Sequence, residues 1–121
     1  MLGYLELAER LADDERFTGG WNFGPDAVSE VPVGTVVDHL IALWGDGARW
    51  TADAGPHPHE AAYLKLDCAK ARNELGWTPR LDLAHGLRLT VDWYKELREG
   101  QDLRAFSLDQ LDQVVGATQM A

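Results

Sequence analysis

The segment Asp67-Cys68-Ala69-Lys70-Ala71-Arg72-Asn73-Glu74-Leu75-Gly76-Trp77-Thr78-Pro79 contains the signals for both ends of one short helix. The carboxylate of an aspartate such as Asp67 accepts hydrogen bonds from the free N–H groups of a first helical turn. Glycine, here Gly76, is the residue that most often adopts the left-handed conformation directly after a helix. The segment therefore predicts a helix over 68–75 followed by a turn. We expect this unit to hold the loop that precedes it.

That loop concentrates ionisable side chains, because His57-Pro58-His59-Glu60 places two imidazoles and one carboxylate within four positions. Pro56 and Pro58 restrict its backbone. An imidazole donates hydrogen bonds from either nitrogen and gains charge near a phosphate. Three interpretations are open: the loop binds a ligand, its side chains brace the turn, or they hold zinc. A zinc site usually needs further ligands, and Cys68, His39 and His85 fall in other predicted elements.

The spacing of apolar residues predicts the elements on either side of this region. Helices are expected over residues 2–16, 33–44, 83–99 and about 107–115, the third capped by Asp82 and stopped by Gly100. Aromatic residues predict short strands at 21–23 and 48–52. The prediction is an α-rich α/β fragment over 1–116, with about five helices and a small sheet, and a disordered tail over 117–121. Nothing caps the first helix, so we also expect a segment ahead of it.

Composition excludes several classes of partner. The chain of 121 residues has a net charge of −9 and a pI near 4.7, whereas nucleic-acid-binding and anionic-membrane-binding proteins concentrate basic residues. No apolar run approaches the roughly 20 residues that a membrane span requires. The single cysteine, Cys68, excludes an intrachain disulfide and makes a cytoplasmic location the default expectation.

Several stretches resemble a known family, and they extend from about Leu2 to Leu111. They include Trp21-Asn22-Phe23-Gly24-Pro25, the run from His57 to Ala71, Glu74-Leu75-Gly76-Trp77-Thr78-Pro79-Arg80-Leu81, and Val91-Asp92-Trp93-Tyr94. They are similar to the C-terminal, substrate-binding subdomain of the extended Rossmann-type short-chain dehydrogenases/reductases. The Leu-Gly-Trp-x-Pro turn is shared by many sugar-nucleotide enzymes. The run from His57 to Asp67 is narrower and most resembles the CDP-glucose 4,6-dehydratases.

For an intact enzyme this resemblance implies bound NAD, oxidation of the sugar at C4, loss of water across C5–C6 and return of the hydride to C6. The chain departs from the pattern because no glycine-rich dinucleotide turn follows a predicted strand. No tyrosine is followed four residues later by lysine, since Ala8, Asp67 and Arg98 occupy those positions after the three tyrosines. We therefore expect no catalytic residue, no NAD or metal bound by this chain, and a Rossmann portion as its partner. The alternative is a non-enzymatic module that binds a nucleotide or a protein.

The resemblance also assigns expected roles in binding CDP-glucose or a related nucleotide sugar. His57 and His59 would donate hydrogen bonds to phosphate or ribose oxygens, and Glu60 would accept one from a hydroxyl or orient an imidazole. Independently of the resemblance, Trp50, like Trp21 and Phe23, is an aromatic residue that can stack on a base or sugar face, although aromatic residues on strands more often belong to a core. Lys65 would pair with a phosphate or lie solvated.

The first predicted helix adds one further expectation, which concerns association. Its apolar residues have no visible local partner, and an uncovered apolar face favours self-association; they are Leu2, Leu5, Leu7 and Leu11.

Overall fold

The computed structural model describes residues 2–55 and 65–116, and its regular elements in that part of the chain are helices. They are α1 (Leu2–Asp13), α2 (Val33–Trp44), α3 (Leu83–Glu99) and α4 (Leu103–Gly116). Short 3₁₀ turns lie at Glu15–Phe17 and Ala27–Ser29, and a helical segment that begins at Ala69 ends in the π-helical turn Ala71–Leu75. The predicted α-rich character is confirmed. The strands predicted at 21–23 and 48–52 are wrong, because both stretches lack regular structure.

The observed helix ends agree with the predicted ones where a residue next to the helix end provides the cap. The Asp67 carboxylate accepts a hydrogen bond from the Ala69 N–H at 2.8 Å, and the Asp82 carboxylate accepts one from the His85 N–H at 2.7 Å. Gly76 and Gly100 both adopt the left-handed conformation, with φ of 72° and 71°. The predicted bounds of α2 and α3 are confirmed.

Two other helix ends differ from the prediction. The first helix ends at Asp13, and the Asp14 carboxylate then caps the following 3₁₀ turn by accepting from the Arg16 N–H at 3.0 Å. The last helix begins at Leu103 and not near residue 107, because the Asp102 carboxylate already accepts from two N–H groups of its first turn. In both cases a short acidic residue satisfies backbone donors that no helical carbonyl reaches.

Contacts within the chain divide it into two compact units. The first unit comprises Met1–Asp26 and Gly55–Pro79, and the second comprises Ala27–Ala54 and Arg80–Ala121. The core of the first unit consists of buried Phe17, Ala71, Leu75 and Trp77, against which Leu7, Trp21 and Phe23 pack.

The second unit is built from α2, α3 and α4. Side-chain hydrogen bonds join these helices: the Lys95 ammonium donates to the Leu43 carbonyl at 3.0 Å, and the Gln110 amide donates to the Leu89 carbonyl at 2.8 Å. Among the described residues of the second unit, Val91 has the buried apolar side chain. Within residues 2–55 and 65–116, no helix has the length and apolarity needed to cross a membrane.

Candidate functional site

The predicted binding residues divide into two groups. His57, His59 and Glu60 lie outside the described residues, whereas Trp50 and Lys65 lie within them. Trp50 belongs to the second unit and Lys65 to the first. Their predicted roles in binding a nucleotide sugar remain predictions.

The Trp50 side chain contacts two residues of α2. Its indole N–H donates to the Asp38 carboxylate at 2.9 Å, and its ring lies against Gly34, where a Cβ atom would be 3.7 Å from two ring carbons. The side chain is nevertheless 45% exposed. The ring is therefore held in one orientation by its N–H, while almost half of its surface remains available for stacking.

Lys65 lies at the first described position after the predicted binding loop. It is exposed and already engaged in a contact. Two residues later, the carboxylate of Asp67 begins the helical segment that ends at Leu75. The chain that follows the loop is therefore anchored within three residues of Lys65.

A second anchor comes from residues 20–26, which we call the strap. The Asn22 amide donates to the Asp67 carbonyl at 3.1 Å, and the Lys70 ammonium donates to the Gly20 carbonyl at 3.3 Å. The same ammonium lies 4.1 Å from the centroid of the Trp21 ring, within the range of a cation–π interaction. The strap is thus joined to the helical segment by polar contacts at several successive residues.

The middle of the strap and its C-terminal end are also fixed by side chains. The Arg72 guanidinium forms an ion pair with the Asp26 carboxylate at 2.7 Å. The Phe23 ring packs edge-on against both Tyr4 and Trp77, with centroid distances of 5.2 and 5.0 Å. Both groups of the ion pair are partly exposed, so the aromatic contacts contribute more to holding the strap than the ion pair does.

Sequence reasoning missed the strap. Its polar contacts join residues separated by 45, 46 and 50 positions, which no local pattern reveals. Lys70 and Arg72 resemble ordinary solvated side chains of a helix when the sequence alone is considered, and Asn22 lies in what was predicted to be a strand.

The second unit contains an apolar cavity that sequence reasoning also missed. Its volume is about 370 Å³, within the range of small-molecule sites. The hydroxyl of Thr90, which lies in the wall, donates to the Gly86 carbonyl at 2.8 Å and is therefore already satisfied. The cavity is lined by Leu40, Ile41, Trp44, Ala48, Thr90, Val91 and Tyr94.

The environment of Asp82 favours the charged form of its carboxyl group. A hydrogen bond from the His85 N–H lowers the pKa of Asp82, which stabilises the carboxylate form at the start of α3. Within residues 2–55 and 65–116, no group of three or more His, Cys, Asp or Glu side chains is arranged to hold a metal ion.

Several curated proteins have sequences similar to that of this chain. The chain is 43% identical over 117 residues to CDP-glucose 4,6-dehydratase of Salmonella typhimurium, which covers 96% of the chain and 33% of that protein. It is 52% identical over 40 residues to dTDP-glucose 4,6-dehydratase of Streptomyces antibioticus, covering 33% of the chain and 12% of that protein. UDP-glucuronate 4-epimerase 6 of Arabidopsis thaliana is 36% identical over 66 residues, covering 54% of the chain and 14% of that protein.

These similarities confirm the resemblance to sugar-nucleotide 4,6-dehydratases. The chain spans about a third of the length of the first relative, and still less of the other two. No family model matches the chain.

Proposed function

We propose, from the relationship of this chain to the sugar-nucleotide 4,6-dehydratases, that it is the C-terminal, nucleotide-sugar-recognising part of a CDP-glucose 4,6-dehydratase-like enzyme. The observation that supports this is the 43% identity over 96% of the chain to a CDP-glucose 4,6-dehydratase. The shorter matches to dTDP-glucose enzymes cover a third to a half of the chain. The identity of the nucleotide is therefore better supported by the long match than by the short ones.

The proposed ligand contacts centre on the loop. In this proposal, His57 and His59 donate hydrogen bonds to diphosphate or ribose oxygens, and Glu60 accepts from a hydroxyl or orients an imidazole. Lys65 supplies a further positive charge toward the diphosphate, and Trp50 stacks on the base or sugar. Hydrogen bonds in which one partner is charged are worth roughly 1.5–3 kcal/mol each, so the imidazoles contribute most when protonated.

Catalysis is assigned to the rest of the proposed enzyme. Hydride transfer is chemistry that NAD supplies when bound, and dinucleotide sites use a glycine-rich turn after a strand. The residues of this chain do not fit that group, because neither the turn nor a Tyr-x-x-x-Lys pair is present in its sequence. We expect the 121-residue chain to yield no 4-keto-6-deoxy product from CDP-glucose with or without added NAD, and product from pure chain would contradict this.

A binding experiment tests the proposal. Isothermal titration of CDP-glucose into the chain is expected to show saturable binding that is weakened about tenfold or more in the double variant His57→Ala, His59→Ala. The loss should grow as the pH falls from 8 to 6, because imidazole gains its proton near pH 6.5. The exposed His39 of α2 offers a matched control, since His39→Ala removes an imidazole away from the loop.

The results separate the proposal from its alternative. Equal affinity of the double variant and the unchanged chain across pH 6 to 8 would leave these histidines as turn-bracing residues. Absence of CDP-glucose binding by the unchanged chain would contradict the proposal itself. It would favour the other candidate, a module that binds a different nucleotide or a protein, for which the exposed Tyr4, Leu5 and Leu11 of α1 provide an apolar surface. Self-association was expected from Leu2, Leu5, Leu7 and Leu11, of which Leu5 and Leu11 are exposed whereas Leu7 packs against the core of the first unit. Light scattering tests this expectation.

A further inference from the structure

The strap contacts the segment 66–77 at almost every position. Six of its seven residues do so through a carbonyl, a ring, an amide, a close backbone approach or a carboxylate: Gly20, Trp21, Asn22, Phe23, Gly24 and Asp26. The side chains and backbone groups of these residues contact residues 66–77, whereas in a sheet they would contact a neighbouring strand. The strap is therefore a fixed part of the first unit and not a connecting loop.

Two of these contacts act on the residues directly after the predicted binding loop. The Asn22 amide holds the carbonyl of Asp67, the same residue whose carboxylate caps the helical segment. Gly24 lies so close that a Cβ atom there would be 3.2 Å from the Cys68 Sγ atom and 3.6 Å from the Leu66 Cβ atom. Cys68 is only 5% exposed, so its sulfur has little freedom to move away.

We infer that Asn22 and Gly24 are positioning residues for nucleotide-sugar binding, because they fix the backbone at Leu66 and Asp67 and thereby the placement of Lys65. This inference rests on the function proposed above. Lys65 is two residues from Asp67, and two residues span at most about 7 Å, so the position of the Asp67 backbone limits where the Lys65 backbone can lie. Displacements of about 1 Å in a positioned group are enough to reduce binding or catalysis strongly.

The test uses two substitutions that perturb the strap in different ways. Asn22→Ala removes the donor to Asp67 without adding atoms, and Gly24→Ala adds a methyl group against Cys68 and Leu66 without removing a hydrogen bond. Each is expected to weaken CDP-glucose binding by about fivefold or more in isothermal titration. The titration is carried out at a temperature at which circular dichroism shows every variant folded.

Matched controls exist within the chain. Asn73→Ala removes an exposed asparagine from the same helical segment, and Gly86→Ala adds a methyl group where nothing lies within 4 Å. Both should bind within about twofold of the unchanged chain.

A compensating variant adds a readout that general destabilisation would not produce. Cys68→Ala removes the sulfur that the new methyl group meets, so Gly24→Ala combined with Cys68→Ala should recover most of the lost affinity. If Gly24→Ala alone fails to fold, Asn22→Ala provides the test, since it leaves the packing unchanged.

The outcomes distinguish this inference from the proposed function. If the unchanged chain binds CDP-glucose and both strap variants bind equally well, the positioning role is wrong and the proposed function stands. If the unchanged chain does not bind, the proposed function is wrong and the inference is overturned with it. Loss in both strap variants, with normal binding in both controls and recovery in the double variant, supports the inference.

Discussion

The two units of this chain differ in how many apolar side chains they bury and in how many long helices they contain. The first unit contains five of the six buried apolar side chains of the described residues, Phe17, Cys68, Ala71, Leu75 and Trp77, although α1 is the only long helix in the part of this unit that the structure describes. In its described residues, the second unit has three long helices but a single buried apolar side chain, Val91. The unit with more long helices is therefore not the unit with more buried apolar side chains. The unit that contains the proposed binding loop is the one with the dense core.

The largest expected difference between the units comes from their buried side chains. Trp77→Ala should lower the free energy of unfolding by about 3–5 kcal/mol, because Trp77 is 8% exposed and supports both Phe23 and the rest of the core. Val91→Ala should cost about 2 kcal/mol, since it removes fewer buried carbons. Urea denaturation followed by circular dichroism measures both.

Val28→Ala is the control for that pair, because Val28 is 87% exposed and its truncation should change stability by less than about 0.5 kcal/mol. An effect of Val91→Ala as large as that of Trp77→Ala would show that the second unit has a core of equal importance.

A smaller difference is expected at two helical glycines. A Cβ atom at Gly3 of α1 would be 2.7 Å from the Phe23 Cε1 atom and 2.9 Å from the Trp77 Nε1 atom. Gly3→Ala should therefore cost about 1–3 kcal/mol through overpacking, partly offset by about 1 kcal/mol of helix propensity. In the second unit, Gly86→Ala meets nothing within 4 Å and should stabilise α3 by about 0.5–1 kcal/mol. Thermal melts of the two variants should shift in opposite directions, and shifts in the same direction would contradict the tight packing at Gly3.

The smallest expected effect concerns pH and lies in the second unit. The hydrogen bond from the His85 N–H lowers the pKa of Asp82 in the folded chain below its ordinary value of 3.8. Stability from this cap is therefore complete above the ordinary value and is lost as the pH falls through the lower folded pKa. Asp82→Asn keeps the capping oxygen but does not titrate. Below about pH 4, the melting temperature should fall less in Asp82→Asn than in the unchanged chain. An equal fall in both would show that the cap does not depend on the charge.

The contrast between the units also explains what the sequence could and could not predict. The ends of α3 were predictable because Asp82 and Gly100 act on neighbouring backbone groups. The strap was not, because the aromatic residues Trp21 and Phe23 suggested a strand whereas their rings pack on Lys70 and Trp77, about 50 residues away. A local sequence pattern predicts a helix well, because a helix satisfies its backbone hydrogen bonds within the element. The pattern fails where residues that are distant in sequence supply the contacts.

The predicted site shows the same limit. Trp50 was expected in a strand, yet its ring is oriented by a hydrogen bond to Asp38 on α2, a contact that sequence spacing did not suggest. The residue types in the loop left ligand binding, bracing of the turn and zinc binding open, and contacts to phosphate were expected from the family resemblance. The relatives to which the chain is similar include a CDP-glucose 4,6-dehydratase. His57, His59 and Glu60 lie outside the described residues, so their roles rest on sequence and on relatedness.

The most direct measurement of the central claim is amide hydrogen exchange of the full chain, followed by mass spectrometry with and without saturating CDP-glucose. The account predicts added protection in peptides that span residues 55–79, with no change in α4, because the loop and its anchors belong to the first unit. Exchange that is unchanged throughout the chain, or protection confined to α4, would contradict it.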